Sequence, residues 1–433
     1  MSISRRGLFG LAGGIAAASV AGCGFAPSSS SGAANNSLTF RWWGGEARNK
    51  AYQNALKIFT DKTGTKVDAQ YSGYDGYFNK LNTEFAGGNP PDLFQMDTAL
   101  VSTYAAKGVL TDLGSFIPST IHLDTLYSAV RGAGAVDGKT YGVPSGSGYA
   151  PVLYDRTIFE QAKIPVPTDT WTWDDFGRIA GEMSKAMGQG KYGSLDASKD
   201  DSGALQPWLR QRGKDLYTND GKLGFTKDDL SEWFALWDKL RKAGAVCPPE
   251  MLSNTDAATG NHPLISGQIA MTTGWGLAQM APLTQHTLDI VVVPRGSNGK
   301  TGQALSGGVL LCIPAKSKNP EAAAKVIDLF ISDVDAIKAM GMSRGIPPSG
   351  KALETLTPTL TASDKRDVSY AQYVADEVAK DGLPNAPTAP PGYNDAKTAL
   401  DAAAKQVAFG KMSIADAVAQ YFRDAEAALQ GAK

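Results

Sequence analysis

The sequence contains few of the residues that build disulfide frameworks and metal centres. Only three cysteines and three histidines occur in 433 residues. They stand apart in the chain, as Cys23, Cys247, Cys312, His122, His262 and His286. No His-x-x-x-His motif, Cys-x-x-Cys motif or aspartate-rich calcium loop is present. We therefore expect no disulfide-stapled fold, no metal site and no cofactor.

Charge of one sign and long apolar runs are also lacking. The chain has 42 basic and 43 acidic residues, and no basic run that would indicate a nucleic-acid partner. The apolar stretch at residues 8–18 is shorter than the roughly 20 residues that span a bilayer core. The sequence therefore predicts neither nucleic-acid binding nor a permanent transmembrane helix.

The first 22 residues have the pattern of an export signal. Arg5 and Arg6 supply positive charge before the apolar stretch, and no acidic residue precedes Glu46. The segment around the two arginines resembles a twin-arginine signal, although paired arginines also occur in ordinary export signals. Residues 1–22 are therefore expected to be a signal peptide, and both twin-arginine export and ordinary export stay open.

The C-terminal end of this segment resembles a bacterial lipobox, because residues 20–23 have the sequence VAGC. A lipobox implies lipidation of Cys23, and several acyl chains hold a protein firmly on a membrane. Residues 23–37 are rich in Ser, Gly, Ala and Asn and predict a flexible tether. The expected location is the outer face of the cytoplasmic membrane. The alternative is an unmodified cysteine in an ordinary signal peptide.

The two other cysteines could form a disulfide in an oxidising compartment. Cys312 lies in the apolar run 309–313, which has the pattern of a buried strand. We therefore expect Cys247 and Cys312 to be two separate thiols.

The chain after the leader is too long for one ordinary core and suits two domains. Its first part alternates between strand and helix patterns, with strands at 38–43, 65–71 and 92–97 and helices at 48–60 and 77–86. This order is typical of an α/β domain with a mainly parallel sheet, in which ligands lie beyond the carboxyl ends of the strands. Trp42, Trp43, Gly44, Gly45 and Asp97 are therefore expected near one rim.

Several short motifs occur in a characteristic order along the chain. They include residues 59–64 (FTDKTG), 86–92 (AGGNPPD), 107–113 (KGVLTDL), 137–144 (DGKTYGVP), 153–155 (LYD) and 267–271 (GQIAM). With these motifs the chain resembles the extracellular solute-binding proteins of ABC sugar importers, the group that includes maltose-binding protein. The resemblance runs from Leu38 to about Leu429. Pro151 departs from it, because the family more often has a small residue there.

The resemblance implies a type II periplasmic-binding-protein-like fold with two α/β lobes and a ligand cleft between them. Lobe one would comprise residues 38–147 and 289–335, and lobe two residues 148–288 and 336–433. The chain would cross between lobes near residues 144–151, 288–294 and 332–342. The implied function is delivery of a sugar to an importer permease by hinge closure, as a monomer and without catalysis.

A sugar site needs flat aromatic side chains and groups that hydrogen-bond in plane. The residues expected to contact the sugar are Trp43, Gly44, Glu46, Arg48, Tyr74, Asp75, Asp97, Tyr149, Trp208, Trp275, Gly307, Gly308 and Arg344. Each has an ordinary structural alternative, such as a core tryptophan, a helix cap or a strand turn. Trp171, Trp173, Trp233 and Trp237 are instead expected to pack helices.

Two of these residues suggest a charged ligand. Guanidinium pairs bidentately with carboxylate, so Arg48 and Arg344 would suit a sugar that contains uronic acid. The motif at residues 42–48 (WWGGEAR) is also similar to that of pectin-fragment binders within the family.

Functions from other classes stay open at this point. An exported glycosidase or lyase would need two carboxylates across the bond to be cleaved, and no recognisable catalytic motif pairs them. A lipoprotein that binds a peptide, a polyamine or iron is a further alternative. A surface adhesin is disfavoured because the chain lacks repeats.

Overall fold

The computed structural model describes residues 37–253, 261–304, 306–384 and 386–431. The expected signal peptide, Cys23 and nearly all of the expected tether lie outside the described residues. Ser37–Lys433 form one compact unit. None of the helices described is both long and apolar enough to cross a membrane.

The strands form two main sheets and one small hairpin. They are β1 Ser37–Trp43, β2 Lys66–Ser72, β3 Leu93–Asp97, β4 Ala135–Val136, β5 Lys139–Thr140, β6 Val143–Gly148, β7 Val152–Asp155, β8 Met271–Thr273, β9 Leu288–Val291 and β10 Ser306–Cys312. The larger sheet has the order β2-β1-β3-β10-β6, and the smaller has the order β8-β7-β9. We call the part built on the larger sheet lobe one and the part built on the smaller sheet lobe two.

The helices flank these sheets. They are α1 Glu46–Thr63, α2 Tyr74–Ala86, α3 Val101–Ala106, α4 Ser128–Arg131, α5 Arg156–Ala162, α6 Trp173–Met187, α7 Gln206–Arg210, α8 Lys227–Lys242, α9 Leu277–Met280, α10 Pro320–Ser332, α11 Val334–Met340, α12 Gly350–Leu356, α13 Ala362–Asp381, α14 Tyr393–Ala408 and α15 Ile414–Gly431. The predicted α/β class and the predicted order of the first five elements are confirmed.

The core of lobe one follows from the alternation along β1. Leu38, Phe40 and Trp42 are fully buried, and the residues between them face the other side of the strand. Phe40 packs on Tyr52 of α1 with ring centroids 5.8 Å apart. β1 runs parallel to both β2 and β3, so the carboxyl ends of these three strands meet at one edge of the sheet.

Lobe two is organised around a cluster of tryptophans. Trp173 lies 5.7 Å from Trp233, and Trp233 lies 5.4 Å from Trp237, measured between ring centroids. Helix α6 is held at its start by a capping box in which Thr172 and Asp175 bond each other's backbone N–H groups. The expectation that these three tryptophans pack helices is confirmed.

Strand pairing corrects the predicted lobe boundary at residue 289. β9 pairs with β7, with Val291 opposite Val152, so residues 289–291 belong to lobe two. The chain returns to lobe one only at β10, which pairs with β3 and β6. An apolar strand pattern does not reveal which sheet the strand joins, so the sequence placed this crossing too early.

Helix packing corrects the boundary at residue 335. Ala336 and Met340 of α11 are buried in the same core as Leu38 and Phe40. Ile337 of α11 packs with Leu356 of α12, so lobe one continues through α12. Helix α13 packs instead on α9 and β9 of lobe two. The third crossing therefore follows α12 rather than preceding α11.

The two remaining cysteines are buried and form no disulfide. Cys312 lies on β10 in lobe one, and Cys247 lies in the core of lobe two. Burial raises the pKa of the Cys247 thiol to about 12, so this thiol is protonated at neutral pH. The prediction of two separate thiols is confirmed.

Candidate functional site

Three of the predicted residues meet at the carboxyl edge of the lobe-one sheet. The Trp43 ring, at the end of β1, packs edge-on against Tyr74 with centroids 5.4 Å apart. The Tyr74 hydroxyl donates a 3.0 Å hydrogen bond to Oδ2 of Asp97, at the end of β3. We call Trp43, Tyr74 and Asp97 the lobe-one rim. It combines apolar ring surface with a carboxylate, the two features that sugar rings require.

Asp97 caps the short helix that follows β3. Its Oδ1 accepts a hydrogen bond from the backbone N–H of Ala99 and caps the short helix Thr98–Leu100. Its other oxygen faces Tyr74. Because the cap fixes the carboxylate, the rim is positioned by the backbone at the end of β3.

Gly44 and Arg48 form the turn that follows β1. Arg48 folds back, and its Nη1 donates to the carbonyl oxygen of Trp43 at 3.2 Å. A Cβ at position 44 would lie 2.6 Å from Cδ of Arg48. Glycine is therefore needed there for the Arg48 side chain to take this path.

The structure also locates three other predicted residues. Glu46 is exposed in the first turn of α1, and Tyr149 is half-buried between β6 and β7. Gly308 has a φ of 57°, and its carbonyl oxygen accepts a hydrogen bond from Thr98 Oγ1 at 3.0 Å. The structure does not describe the side chain of Asp75 or the exposure of Gly307. These observations leave the roles of all these positions as predictions.

Lobe two presents a second polar and aromatic set, which we call the lobe-two face: Asp200, Thr273 and Trp275. Thr273 Oγ1 donates to Asp200 Oδ2 at 2.6 Å. Trp275 is half-buried, and its ring lies edge-on to His262 with centroids 6.0 Å apart. Burial raises the pKa of Asp200, while the hydrogen bond from Thr273 opposes that shift.

A lysine lies beside the acid that follows Asp200 in the chain, and the sequence interpretation missed it. Lys397 Nζ lies 3.3 Å from Asp201 Oδ1, and the Tyr393 hydroxyl donates to Asp201 Oδ2 at 2.7 Å. The charge of Asp201 raises the pKa of Lys397, and the charges of Asp200 and Asp97 act in the same direction. Helix α14, which carries Lys397, contacts the short helix Thr98–Leu100 of lobe one. In the sequence, the only indication of a charged cluster that could pair with this lysine was the two adjacent acids, Asp200 and Asp201.

The lobes also touch directly. Ser102 of α3 donates a hydrogen bond from its hydroxyl to the carbonyl oxygen of Ala389, just before α14. One continuous apolar cluster includes Met96 and Tyr104 of lobe one together with Trp208 of lobe two. The two halves of the site are therefore held close to each other in this structure.

The structure does not place Trp208 or Arg344 on an open surface. Trp208 is 2% exposed, lies 5.5 Å from Trp233, and is covered by the guanidinium of Arg212 at 3.5 Å from its ring centroid. Arg344 is 8% exposed and lies over Phe330. Both side chains are enclosed by the protein. Neither the ring face of Trp208 nor the guanidinium group of Arg344 is therefore available to a ligand at the surface. Spacing in the sequence cannot report this burial.

The described residues contain no group of three or more His, Cys, Asp or Glu side chains arranged to hold a metal ion. A molecule with two α/β lobes, each of which carries an aromatic and polar set, has the architecture of a ligand-binding protein.

Comparison with known proteins gives the same class and a family. A model of the bacterial extracellular solute-binding proteins matches residues 54–367, and the chain belongs to that family. Its members are exported binding proteins.

Individual relatives are distant. The chain is 25% identical over 337 residues to the diacetylchitobiose-binding protein DasA of Streptomyces coelicolor, covering 75% of this chain and 76% of that one. It is 25% identical over 303 residues to a maltooligosaccharide ABC transporter solute-binding lipoprotein of Streptococcus pneumoniae, covering 65% and 66%. A solved family 1 solute-binding protein from Alicyclobacillus acidocaldarius is 27% identical, with a TM-score of 0.66, over 91% and 98%.

Proposed function

We propose that this protein is the substrate-binding component of an ABC carbohydrate importer and holds a sugar between its lobes. The observation that carries the proposal is the lobe-one rim, in which an aromatic pair and a positioned carboxylate share one edge of the sheet. Aromatic rings cover the apolar faces of a sugar, and carboxylates accept hydrogen bonds from its hydroxyl groups.

The lobe-two face completes the proposed site. Trp275 supplies a third ring, and Glu46, Arg48, Tyr149 and Gly308 remain candidate contacts. A ligand that contacts both lobes favours the closed arrangement by its differential affinity, and a permease that recognises that arrangement would receive the sugar. No bond is broken in this cycle. Similarity to the diacetylchitobiose-binding and maltooligosaccharide-binding proteins supports an oligosaccharide as the ligand.

The N-terminus supports attachment to a membrane. We infer that Cys23 is lipidated and that residues 24–37 tether the folded unit to the outer face of the cytoplasmic membrane. The VAGC motif and the similarity to a solute-binding lipoprotein support this part of the proposal. Metabolic labelling with a fatty acid would test it, because labelling should be lost in Cys23→Ala.

Ligand-induced thermal stabilisation tests the binding function. Soluble protein from residue 24 onward would be screened with neutral, amino and uronic oligosaccharides, because a ligand that binds only the folded state raises the melting temperature. We expect one class of sugar to raise it, and we expect Trp275→Ala to abolish the shift.

A matched control is Phe409→Ala, which removes another aromatic ring from lobe two at a position that is 43% exposed. This variant should keep the full ligand response. No response of the wild-type protein to any sugar would contradict a carbohydrate ligand. A full response in Trp275→Ala would remove Trp275 from the site.

A further inference from the structure

Trp275 of the lobe-two face lies between two glycines. Gly274 has a φ of 86°, in the left-handed region that glycine favours, and Gly276 precedes the first residue of α9. Glycine allows the backbone many conformations, so this short segment does not fix the direction of the ring by itself. The direction of the Trp275 side chain therefore depends on what holds the two ends of the segment.

The first end is held by the aspartate of the lobe-two face. Asp200 Oδ2 accepts the hydrogen bond from Thr273, and its Oδ1 accepts a second one from the backbone N–H of Gly203 at 2.9 Å. The carboxylate therefore joins the end of β8 to the helical turn Asp201–Leu205. This contact fixes the chain two residues before the tryptophan.

The second end is held by a carboxylate from α13, far away in the sequence. Asp367 Oδ1 accepts a hydrogen bond from the backbone N–H of Leu277 at 3.1 Å, and its Oδ2 accepts one from Ala278 at 2.8 Å. These N–H groups lie in the first turn of α9, where a helix offers them no internal partner. Both oxygens of Asp367 are therefore used to fix the residues that directly follow the Trp275 segment.

Helix α13 is itself attached to the lobe-two sheet beside this carboxylate. Arg366 Nε donates to Asp289 Oδ1 at 2.7 Å, and its Nη2 donates to the carbonyl oxygen of Ile290 at 2.5 Å. Both acceptors belong to β9, which pairs with β7. Asp367 therefore has a position that is set by the sheet, and it transmits that position to the start of α9.

We propose that Asp367 is a positioning residue that orients the Trp275 ring by fixing the start of α9. Its importance for ligand binding rests on the proposed function, because that function takes Trp275 as a ring that contacts the sugar. A side chain that is already held in its bound orientation does not have to be ordered when the ligand arrives, and this favours affinity.

Fluorine NMR of protein labelled with 5-fluorotryptophan tests the orientation without a ligand. Soluble protein from residue 24 onward would be used, and the resonance of Trp275 is identified by its loss in Trp275→Phe. We expect Asp367→Ala to shift or broaden this resonance and to leave those of the other tryptophans in place. Asp367→Asn should have a smaller effect, because its amide oxygen still accepts one of the two hydrogen bonds.

Asp333→Ala is the matched control. Asp333 caps α11 in lobe one, where its Oδ1 accepts hydrogen bonds from the backbone N–H groups of Asp335 and Ala336. This variant loses the same kind of cap and should leave the Trp275 resonance unchanged. An unchanged resonance in Asp367→Ala, or equal changes in both variants, overturns the proposal. Should Asp367→Ala fail to fold, Asp367→Asn is judged by the same criterion.

Affinity measurements separate this proposal from the proposed function. Isothermal titration calorimetry would use diacetylchitobiose, maltotriose and digalacturonate as amino, neutral and uronic oligosaccharides. Any of these that binds the wild type should bind Asp367→Ala about three- to tenfold more weakly and Asp333→Ala equally well. Unchanged affinity in Asp367→Ala contradicts its importance for binding. If none of the three binds, the result counts against a carbohydrate ligand, and the fluorine resonance still decides whether Asp367 orients Trp275.

Discussion

The hydroxyl group of Tyr74 lies 3.0 Å from Oδ2 of Asp97 and donates a hydrogen bond to it. Tyr74 begins α2 and Asp97 ends β3, so this contact joins two elements that parallel strand order brings to the same edge of the sheet. The bond orients the tyrosine against Trp43 and fixes one oxygen of the carboxylate. A ligand at this rim would meet an arrangement that is already ordered.

Removing this hydroxyl should weaken ligand binding. Tyr74→Phe keeps the ring contact with Trp43 but leaves Asp97 Oδ2 without its tyrosine donor. We expect the affinity for the sugar found in the screen to fall about three- to tenfold, measured by isothermal titration calorimetry. Tyr71→Phe is the control, because Tyr71 is equally exposed and stacks on Trp42 instead. Equal losses in both variants would contradict a specific role for Tyr74.

Folding should become less favourable in mild acid because of His262. This side chain is fully buried, and burial lowers its pKa from 6.5 to about 4. The unfolded chain binds a proton below pH 6.5 that the folded protein does not bind, so stability falls as the pH drops from 6.5 towards 4. The linkage relation gives a loss of about 1.5 kcal/mol between pH 6.5 and pH 5.

A substitution isolates this histidine from the other titrating groups. His262 Nδ1 accepts a hydrogen bond from the Leu264 N–H at 3.2 Å, and the amide oxygen of asparagine can accept in its place. Urea unfolding of His262→Asn across this range should therefore show a shallower pH dependence than the wild type. Parallel curves for the two proteins would show that His262 does not titrate as its burial requires.

Asp92 should be important for the stability of lobe one. Its two carboxylate oxygens accept five hydrogen bonds, from the backbone and side chain of Thr39 and from the loop formed by Ser317, Lys318 and Asn319. Asp92→Asn turns an NH₂ group towards these donors. We expect a loss of about 2–3 kcal/mol in the free energy of unfolding. Asp112→Asn, at an exposed position with one backbone contact, should cost much less.

The lowered pKa of Asp92 predicts how the stability of the protein changes in acid. Burial favours a higher pKa for Asp92, but its hydrogen bonds outweigh burial, and the pKa is lowered. Its contribution is therefore fully present above the unfolded pKa of about 3.9 and is lost as the pH falls through the lower folded pKa. The stability difference between wild type and Asp92→Asn should shrink below pH 4. A difference that stays constant down to pH 2 would contradict this interpretation.

Two glycines near α6 should respond oppositely to the same substitution. A Cβ at Gly193 would lie 2.0 Å from the carbonyl oxygen of Ala180, whereas a Cβ at Gly181 meets nothing within 4 Å. Gly193→Ala should destabilise the protein by about 2–3 kcal/mol through backbone displacement. Gly181→Ala should stabilise it by about 0.5–1 kcal/mol, because alanine favours the helix. Chemical denaturation measures both, and equal effects would refute the contrast.

Local pattern was enough to predict the first half of lobe one. The alternation in β1, the helical period of α1 and the breaks at glycine and proline identified each element, and parallel strand order then placed Trp43 and Asp97 at one edge. These features depend on neighbours in the chain. The family motifs, also local, led to the solute-binding class that the family match established.

The rest required tertiary contacts. Whether β9 pairs with β7 or joins the first sheet, and whether α11 packs on α1, depends on surfaces far apart in the chain. The enclosure of Trp208, the ion pair of Lys397 with Asp201 and the unpaired donors of Arg344 also depend on such contacts. Sequence by itself determined the first five elements, their order along the chain and the class of protein. Only the tertiary structure decided which side chains are buried and which face each other, because burial is a property of the surfaces that pack together and not of residue spacing.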